Sequence, residues 1–259
     1  MPTPPRRGPA PARKDLVRLL LRYGVGSRAQ ARELVLAGRV RVDGRVCTDP
    51  HERFDERSRI EIDGQRAEQP ERVVVMLNKP VGCLTTARDP AGRPTVFAYL
   101  AGAPSGLRAV GRLDLDTSGL LLFTNDTLLA ARISDPSSHV AKHYEVRTRA
   151  RLSDTQLAEL RTGVQLSDGP ARALRVERCI GAQRGRWIEL SLDEGRNREV
   201  RRMVHTVGGD VRELRRVAIG ALRLDDLQSG QWRALAESEL QLLGLPAPAR
   251  RGGAAPPLR

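Results

Sequence analysis

Within 259 residues, 44 Lys and Arg stand against 31 Asp and Glu, a formal charge of +13 with a pI near 11.0. A surface field of that sign draws polyanions, nucleic acid above all, and a hydrophobic fraction of 40% supports a real core and excludes a wholly disordered chain. Cys47, Cys83 and Cys179 lie too far apart for a disulfide framework or a paired-cysteine zinc site, no apolar run is long enough to span a membrane, and the Pro- and Arg-rich N-terminus lacks the apolar stretch of a signal peptide.

A soluble, cytoplasmic protein with no membrane partner is therefore expected. Lysine occurs only at Lys14, Lys79 and Lys142. Arginine forks onto phosphate and stacks on bases, which suits RNA. GC-rich codon usage explains Arg in place of Lys equally well, but it does not explain the net charge.

In chain order, residues 1–12 are rich in Pro, Ala and Arg and read as a disordered basic tail, as do residues 245–259. Residues 13–68 read as a compact module. Leu16, Leu19 and Leu20 have helical spacing between Asp15 and Tyr23, with Gly24 ending the helix. Ser27 and Gln30 have the spacing of a capping box for a second helix, which buries Leu34 and Val35 and closes at Gly38. Val40 and Val42 alternate with Arg39 and Arg41, Asp43-Gly44 supplies a hairpin turn, Val46 begins the return strand, and Ile60 and Ile62 form a third strand. Arg28 and Arg32, four residues apart, share one helical face. Together with Arg39 and Arg41 they form a candidate phosphate-binding surface; the alternative is an ordinary solvated face.

After a polar hinge at 66–71, residues 72–242 read as a larger domain. Val73 to Leu77 is a buried strand, and Asn78-Lys79-Pro80-Val81-Gly82 is expected to turn. The stretch Gly111-Arg112-Leu113-Asp114-Leu115-Asp116 leads into Gly119-Leu120-Leu121-Leu122-Phe123, the continuous apolar run of a strand buried on both faces. An acid at the mouth of such a strand is held on a rigid scaffold, as a catalytic carboxylate must be. Val140 to Val146 and Trp187 to Leu192 are further strands, while 153–162 and 198–207 have helical spacing. His139 and His143 are four apart but precede a strand and lack a third ligand, so no metal site is expected. The mixture of strands and helices gives an α+β fold: a small two-helix and hairpin domain, then a mixed, largely antiparallel sheet with flanking helices.

The module at 13–68 resembles the alpha-L RNA-binding module of a small-subunit ribosomal protein. The stretch at 111–126, with Lys142-His143-Tyr144, Asn78-Lys79-Pro80, Glu194-Gly195-Arg196-Asn197-Arg198-Glu199-Val200-Arg201-Arg202-Met203 and Gly230-Gln231-Trp232-Arg233, resembles the rRNA-modifying branch of the RNA pseudouridine synthases. Thr127, where the family usually has Gly, and Arg18, where Lys is common, depart from it. The resemblance implies isomerisation of uridine to pseudouridine in ribosomal RNA or a ribosome-assembly intermediate, by a monomer and without a cofactor. The Glu-Gly-Arg-Asn-Arg string leans towards large-subunit members.

By that resemblance Asp114 is the catalytic nucleophile, with Asp116 the second choice, attacking either the uracil ring or the anomeric carbon. Tyr144 packs against the flipped base, and Arg201 pairs with the acid, favouring its charged form. Lys79 braces the loop without chemistry, and Trp232 belongs to the core. Arg112, two residues before the acid, is expected to guide the phosphate of the flipped nucleotide. Arg196, Arg198 and Arg202 are expected to serve the RNA backbone, Arg202 facing phosphate or solvent. The rival expectation is a non-catalytic RNA-binding or assembly factor on the same scaffold, against which the set Asp114, Tyr144 and Arg201 argues.

Overall fold

A computed structural model describes residues 13–25, 27–68, 70–179 and 185–243. The two expected tails lie outside them. The described chain falls into two compact units: one runs to Val73 and takes in 104–107 and 125–127, and the other holds the remainder.

The first unit opens with β1 (Arg13–Asp15), α1 (Leu16–Arg22) and α2 (Arg28–Leu36), followed by β2 (Val40–Val42), β3 (Arg45–Cys47), β4 (Arg53–Asp55), β5 (Ile60–Ile62) and β6 (Gln65–Arg66). Asp15 caps α1 by accepting from the Arg18 amide at 2.8 Å, and the Ser27 hydroxyl caps α2 by accepting from the Gln30 amide at 3.2 Å. The antiparallel sheet runs β3-β2-β5-β6, with Val40 opposite Cys47 and Ile62. Asp43 and Gly44 have φ of 51° and 82°, the left-handed pair that a two-residue hairpin turn requires. Leu16, Leu19, Leu20, Val35, Val40 and Ile60 form one core, each buried side chain contributing about 1.5–3 kcal/mol. β1 and β4, paired antiparallel, leave no sequence signal because both are three residues long and largely polar.

The second unit contains β7 (Val74–Lys79), β8 (Arg108–Val110), β9 (Ser118–Thr124), α3 (Thr127–Ser134, whose first residue groups with the other unit), β10 (Lys142–Thr148), α4 (Asp154–Thr162), β11 (Val164–Leu166) and β12 (Gly169–Ala171). β13 (Arg175–Arg178), β14 (Trp187–Leu192), α5 (Glu199–Thr206), β15 (Val211–Ile219), β16 (Leu222–Arg223), β17 (Trp232–Ala234) and α6 (Glu237–Leu240) follow. The main sheet has the order β13-β14-β10-β15-β9-β7-β17, with β16 on β15 and β8 on β9. Only the β15–β9 pairing is parallel among these ladders.

β9 explains its own composition. Leu120 and Leu122 enter one core with Val74, Met76 and Ile133, while Phe123 meets Phe97 edge-on, ring centres 5.6 Å apart. A second core joins β10, β13 and β14 to α4 and α5 through Val146, Leu157, Leu160, Leu190, Met203 and Val204. Ser153 and Gln156 form a reciprocal capping box at the start of α4. Trp232 is only half-buried and donates from its indole to the Ala101 carbonyl at 3.2 Å, so it is a strand-edge residue more than a core one.

The expected turn at Asn78 begins later, after Lys79. β7 carries both residues because each buried polar head finds acceptors. The Asn78 amide reaches the Leu227 carbonyl at 2.7 Å, and the Lys79 ammonium reaches the carbonyls of Pro80, Asp114 and Thr117 at 3.0, 3.0 and 2.9 Å.

Candidate active site

Asp114 stands on a turn between β8 and β9 that is tied down from several sides. The Thr117 amide donates to its carbonyl at 3.1 Å, Lys79 donates to the same carbonyl, and the Gly82 amide donates to Leu115 at 2.8 Å. The Thr85 hydroxyl donates to the Leu113 carbonyl at 2.7 Å. Lys79, fully buried, thus pins the backbone of the acid-bearing turn, and burial pushes its ammonium below the usual lysine range. The Asp114 carboxylate itself remains 31% exposed.

Beside it lies a cavity of about 530 Å³ lined by Asp114, Arg112, Tyr144, Lys142, Glu199 and Arg216 among others. That is room for a nucleoside-sized ligand. Alternation along β10 brings Lys142 and Tyr144 to the same face. Tyr144 is buried in the cavity wall and Arg112 is exposed at it.

The cations are arranged differently from expectation. Arg198, not Arg201, comes within ion-pair reach of Asp114, its Nη1 lying 3.8 Å from the carboxylate. Arg198 also makes two 3.0 Å bonds to Asp116, and Arg201 donates to the Asp116 carbonyl at 2.8 Å, with 3.3 Å to its carboxylate. Asp116 therefore gathers both guanidiniums next to Asp114. Burial alone would raise the Asp116 carboxyl, but hydrogen bonds from Arg198 and the charges of Arg201 and Arg198 hold it below the usual range. Arg198 caps α5 in the left-handed conformation, φ 47° and ψ 33°, a cost of order 1 kcal/mol for a residue with a Cβ.

Arg196 and Arg202, expected to serve the RNA backbone, are each paired with acids of their own chain. Arg202 makes two 2.9 Å bonds to Asp168 at the β11–β12 turn, an ion pair that is still partly open to solvent. Arg196 reaches Asp168 at 3.3 Å, the Pro170 carbonyl at 2.7 Å, Glu194 at 2.8 Å and Glu199 at 3.1 Å. The Glu199 carboxylate additionally accepts from the Arg196 amide at 3.0 Å. Burial, and the shared hydrogen bond with Glu194, push Glu199 up to about 7.

In the other unit, Arg28 and Arg32 stand exposed on one face of α2, Arg32 lying 3.5 Å from His51. Arg39 is bonded to Asp63 at 2.7 and 2.5 Å, and Arg41 reaches the Gly44 carbonyl at 3.4 Å. Among the described residues no group of three or more His, Cys, Asp or Glu could hold a metal ion; His139 pairs with Asp193 and His143 with Ser191.

Lys142, Glu199 and Arg216 are site residues that motif reading did not single out. For Lys142 and Arg216 the signal is a charged residue at an inward position of an otherwise alternating strand: Arg216 follows Leu214 and precedes Ala218 on the buried side of β15, whereas Glu199 opens helix α5.

A mixed sheet that carries an acid on a braced turn, beside a cavity ringed by arginine, defines a nucleic-acid-directed enzyme. Comparison with known proteins narrows the class. Residues 73–206 match the RNA pseudouridylate synthase family, and residues 16–60 match the S4 domain. The chain is 40% identical over 248 residues to a ribosomal large subunit pseudouridine synthase B of Haemophilus influenzae, covering 90% of this chain and 69% of that one. It is 42% identical over 232 residues to the protein so named from Salmonella typhi, covering 86% and 79%. A crystal structure of a pseudouridylate synthase superposes with a TM-score of 0.64 at 29% identity, over 88% of this chain and 99% of that one. The chain belongs to the RNA pseudouridine synthase family, an isomerase with an S4 domain at its front.

Proposed function

We propose that this enzyme isomerises a specific uridine of large-subunit ribosomal RNA, with Asp114 as the nucleophile. The observation that carries the reading is the placement of the Asp114 carboxylate at a cavity of about 530 Å³ walled by Tyr144, with its backbone fixed by Lys79. The relatives' names, each a large-subunit enzyme, support the choice of RNA.

The chemistry needs no external group. The bond from C1′ to N1 breaks, the ring turns, and C5 bonds to C1′; C5 loses a proton and N1 gains one. Asp114 attacks either C1′ or the ring, and in both routes the guanidiniums held by Asp116 offset charge as it shifts. The uridine must leave its stack to reach the acid, with Tyr144 supplying the surface it packs on and Arg112 holding its phosphate. Residues 13–68, with Arg28, Arg32, Arg39 and Arg41, bind folded RNA, and residues 72–242 carry the reaction. The reading takes the enzyme as a cytoplasmic monomer acting on rRNA or an assembly intermediate.

Carbodiimide mapping of pseudouridine in both rRNAs, from cells lacking the protein and complemented with wild type or Asp114→Asn, tests this. One large-subunit site restored by wild type alone is expected. Restoration by Asp114→Asn removes the nucleophile assignment, and no change at any site leaves the non-catalytic RNA-binding reading.

A further inference from the structure

Arg216 is an arginine in the wrong place for a surface charge. It lies across from Tyr144 in the β10–β15 ladder and across from Gly119 in the parallel β9–β15 pairing. The close approach of the two backbones requires that glycine: a Cβ on Gly119, whose φ is +104°, would sit 2.1 Å from the Arg216 carbonyl. The side chain is 5% exposed and lines the cavity that holds Asp114 and Tyr144. Its Nε donates to the Leu120 carbonyl at 2.8 Å, which fixes the guanidinium plane.

Its Nη2 is buried and has no acceptor among the described residues. Native proteins rarely leave such a donor unmatched, and since Arg216 belongs to the cavity wall, a ligand in that cavity is the candidate acceptor. A second buried polar atom, the Thr117 hydroxyl, is likewise unmatched in the wall of the same cavity. Lys142, two residues before Tyr144 on the same face, stands close enough that Arg216's charge adds to burial in lowering it. Two cations in one buried wall suit a ligand whose oxygens carry or acquire negative charge.

We infer that Arg216 recognises the uracil ring of the flipped uridine, donating from Nη2 to a ring carbonyl oxygen. This rests on the cavity being the uridine site. As the C1′–N1 bond breaks, its electron pair passes to the ring and spreads onto the carbonyl oxygens at C2 and C4. A donor already fixed at one of them strengthens as that charge grows, so its effect falls on the chemical step more than on RNA affinity. The charge is discharged when C5 bonds to C1′, C5 gives up its proton and N1 takes one.

The test uses the full chain and a stem-loop carrying the mapped uridine as uridine, 2-thiouridine or 4-thiouridine, since sulfur accepts hydrogen bonds poorly. Wild type should lose about tenfold in kcat with one of the two thio substrates, with KM little changed. Arg216→Lys and Arg216→Gln should be slower on uridine and should no longer distinguish that sulfur from oxygen. A purely structural arginine would slow all three substrates alike and leave the sulfur penalty in place, which overturns the inference. If neither variant folds, as thermal melting would reveal, the wild-type arm still decides, because equal rates on all three substrates overturn it. A wild type that does not convert plain uridine instead overturns the site reading beneath.

Discussion

Helix α2 of the first unit and the segment leading into α5 of the second use the same residue in opposite ways. In the S4 unit, Arg28 and Arg32 stand exposed along α2. In the larger unit, Arg196, Arg198, Arg201 and Arg202 lie within ten residues of chain and are each bonded to an acid or carbonyl of the protein itself. A high net charge thus divides into arginines available to a polyanion and arginines consumed in holding a site together. The first kind should affect binding and salt dependence; the second should affect rate and stability.

The largest test of that division is Arg196→Ala. Arg196 is the post around which Glu194, Glu199 and Asp168 close, two residues before the strained Arg198. Its loss should free the 194–198 loop and move Arg198 off Asp116, and a displacement near 1 Å costs about 10²-fold in kcat. KM for RNA should stay within about twofold if Arg196 contributes nothing to phosphate. Single-turnover rates on unmodified large-subunit rRNA transcript measure both. A rise in KM without a fall in kcat would return Arg196 to the RNA-binding class. Arg196→Lys should recover little, because one ammonium cannot span acceptors on several sides of a planar fork.

Buried charge also gives the larger unit a pH dependence that an exposed face lacks. Glu199 is held protonated up to about 7 in the fold, well above its ordinary value of 4.5. Between those values the folded chain keeps a proton that the unfolded chain has released, so stability falls as pH rises through this window and the loss is complete above it. The loss is of order 1–3 kcal/mol. Glu199→Gln replaces the shared proton with an amide that still donates to Glu194, so urea denaturation of this variant should change less between pH 5 and pH 8 than that of wild type. Parallel curves would mean that the Glu194–Glu199 contact does not survive in solution.

Much of this arrangement was legible beforehand, for identifiable reasons. Periodicity locates α1 and α2 because each buries a regular stripe, β9 shows as a continuous apolar run because it is buried on both faces, and the acid-bearing turn follows from that run. Partner choice was not legible. The resemblance pairs Arg201 with Asp114 and puts Arg198 on the RNA backbone, yet it is Arg198 that comes within ion-pair reach of the acid. The left-handed backbone at Arg198, which no residue type announces when the residue is not glycine, brings it closer. The pairing of Arg196 and Arg202 leaves no signal because the acid that binds them, Asp168, is about thirty residues away in sequence, on a hairpin too short to register. The inward arginine of β15 was hidden for a related reason, since Arg215 and Arg216 are adjacent and only the strand register says which one faces the core.

The smallest expected effects lie on the open face. Arg28→Ala and Arg32→Ala should each raise KM about fivefold, leave kcat unchanged, and reduce the slope of log affinity against log salt by about 1, the mark of one lost phosphate contact. Melting temperature should not move, because neither side chain carries core burial. The double variant discriminates further. If the two arginines contact separate phosphates, their effects multiply and the salt slope falls by about 2. If only one reaches RNA, its partner's removal changes nothing, and a four-residue spacing on α2 then marks a solvated helix face with a single anchor. Either result leaves the catalytic arginines untouched, which is the separation the two units predict.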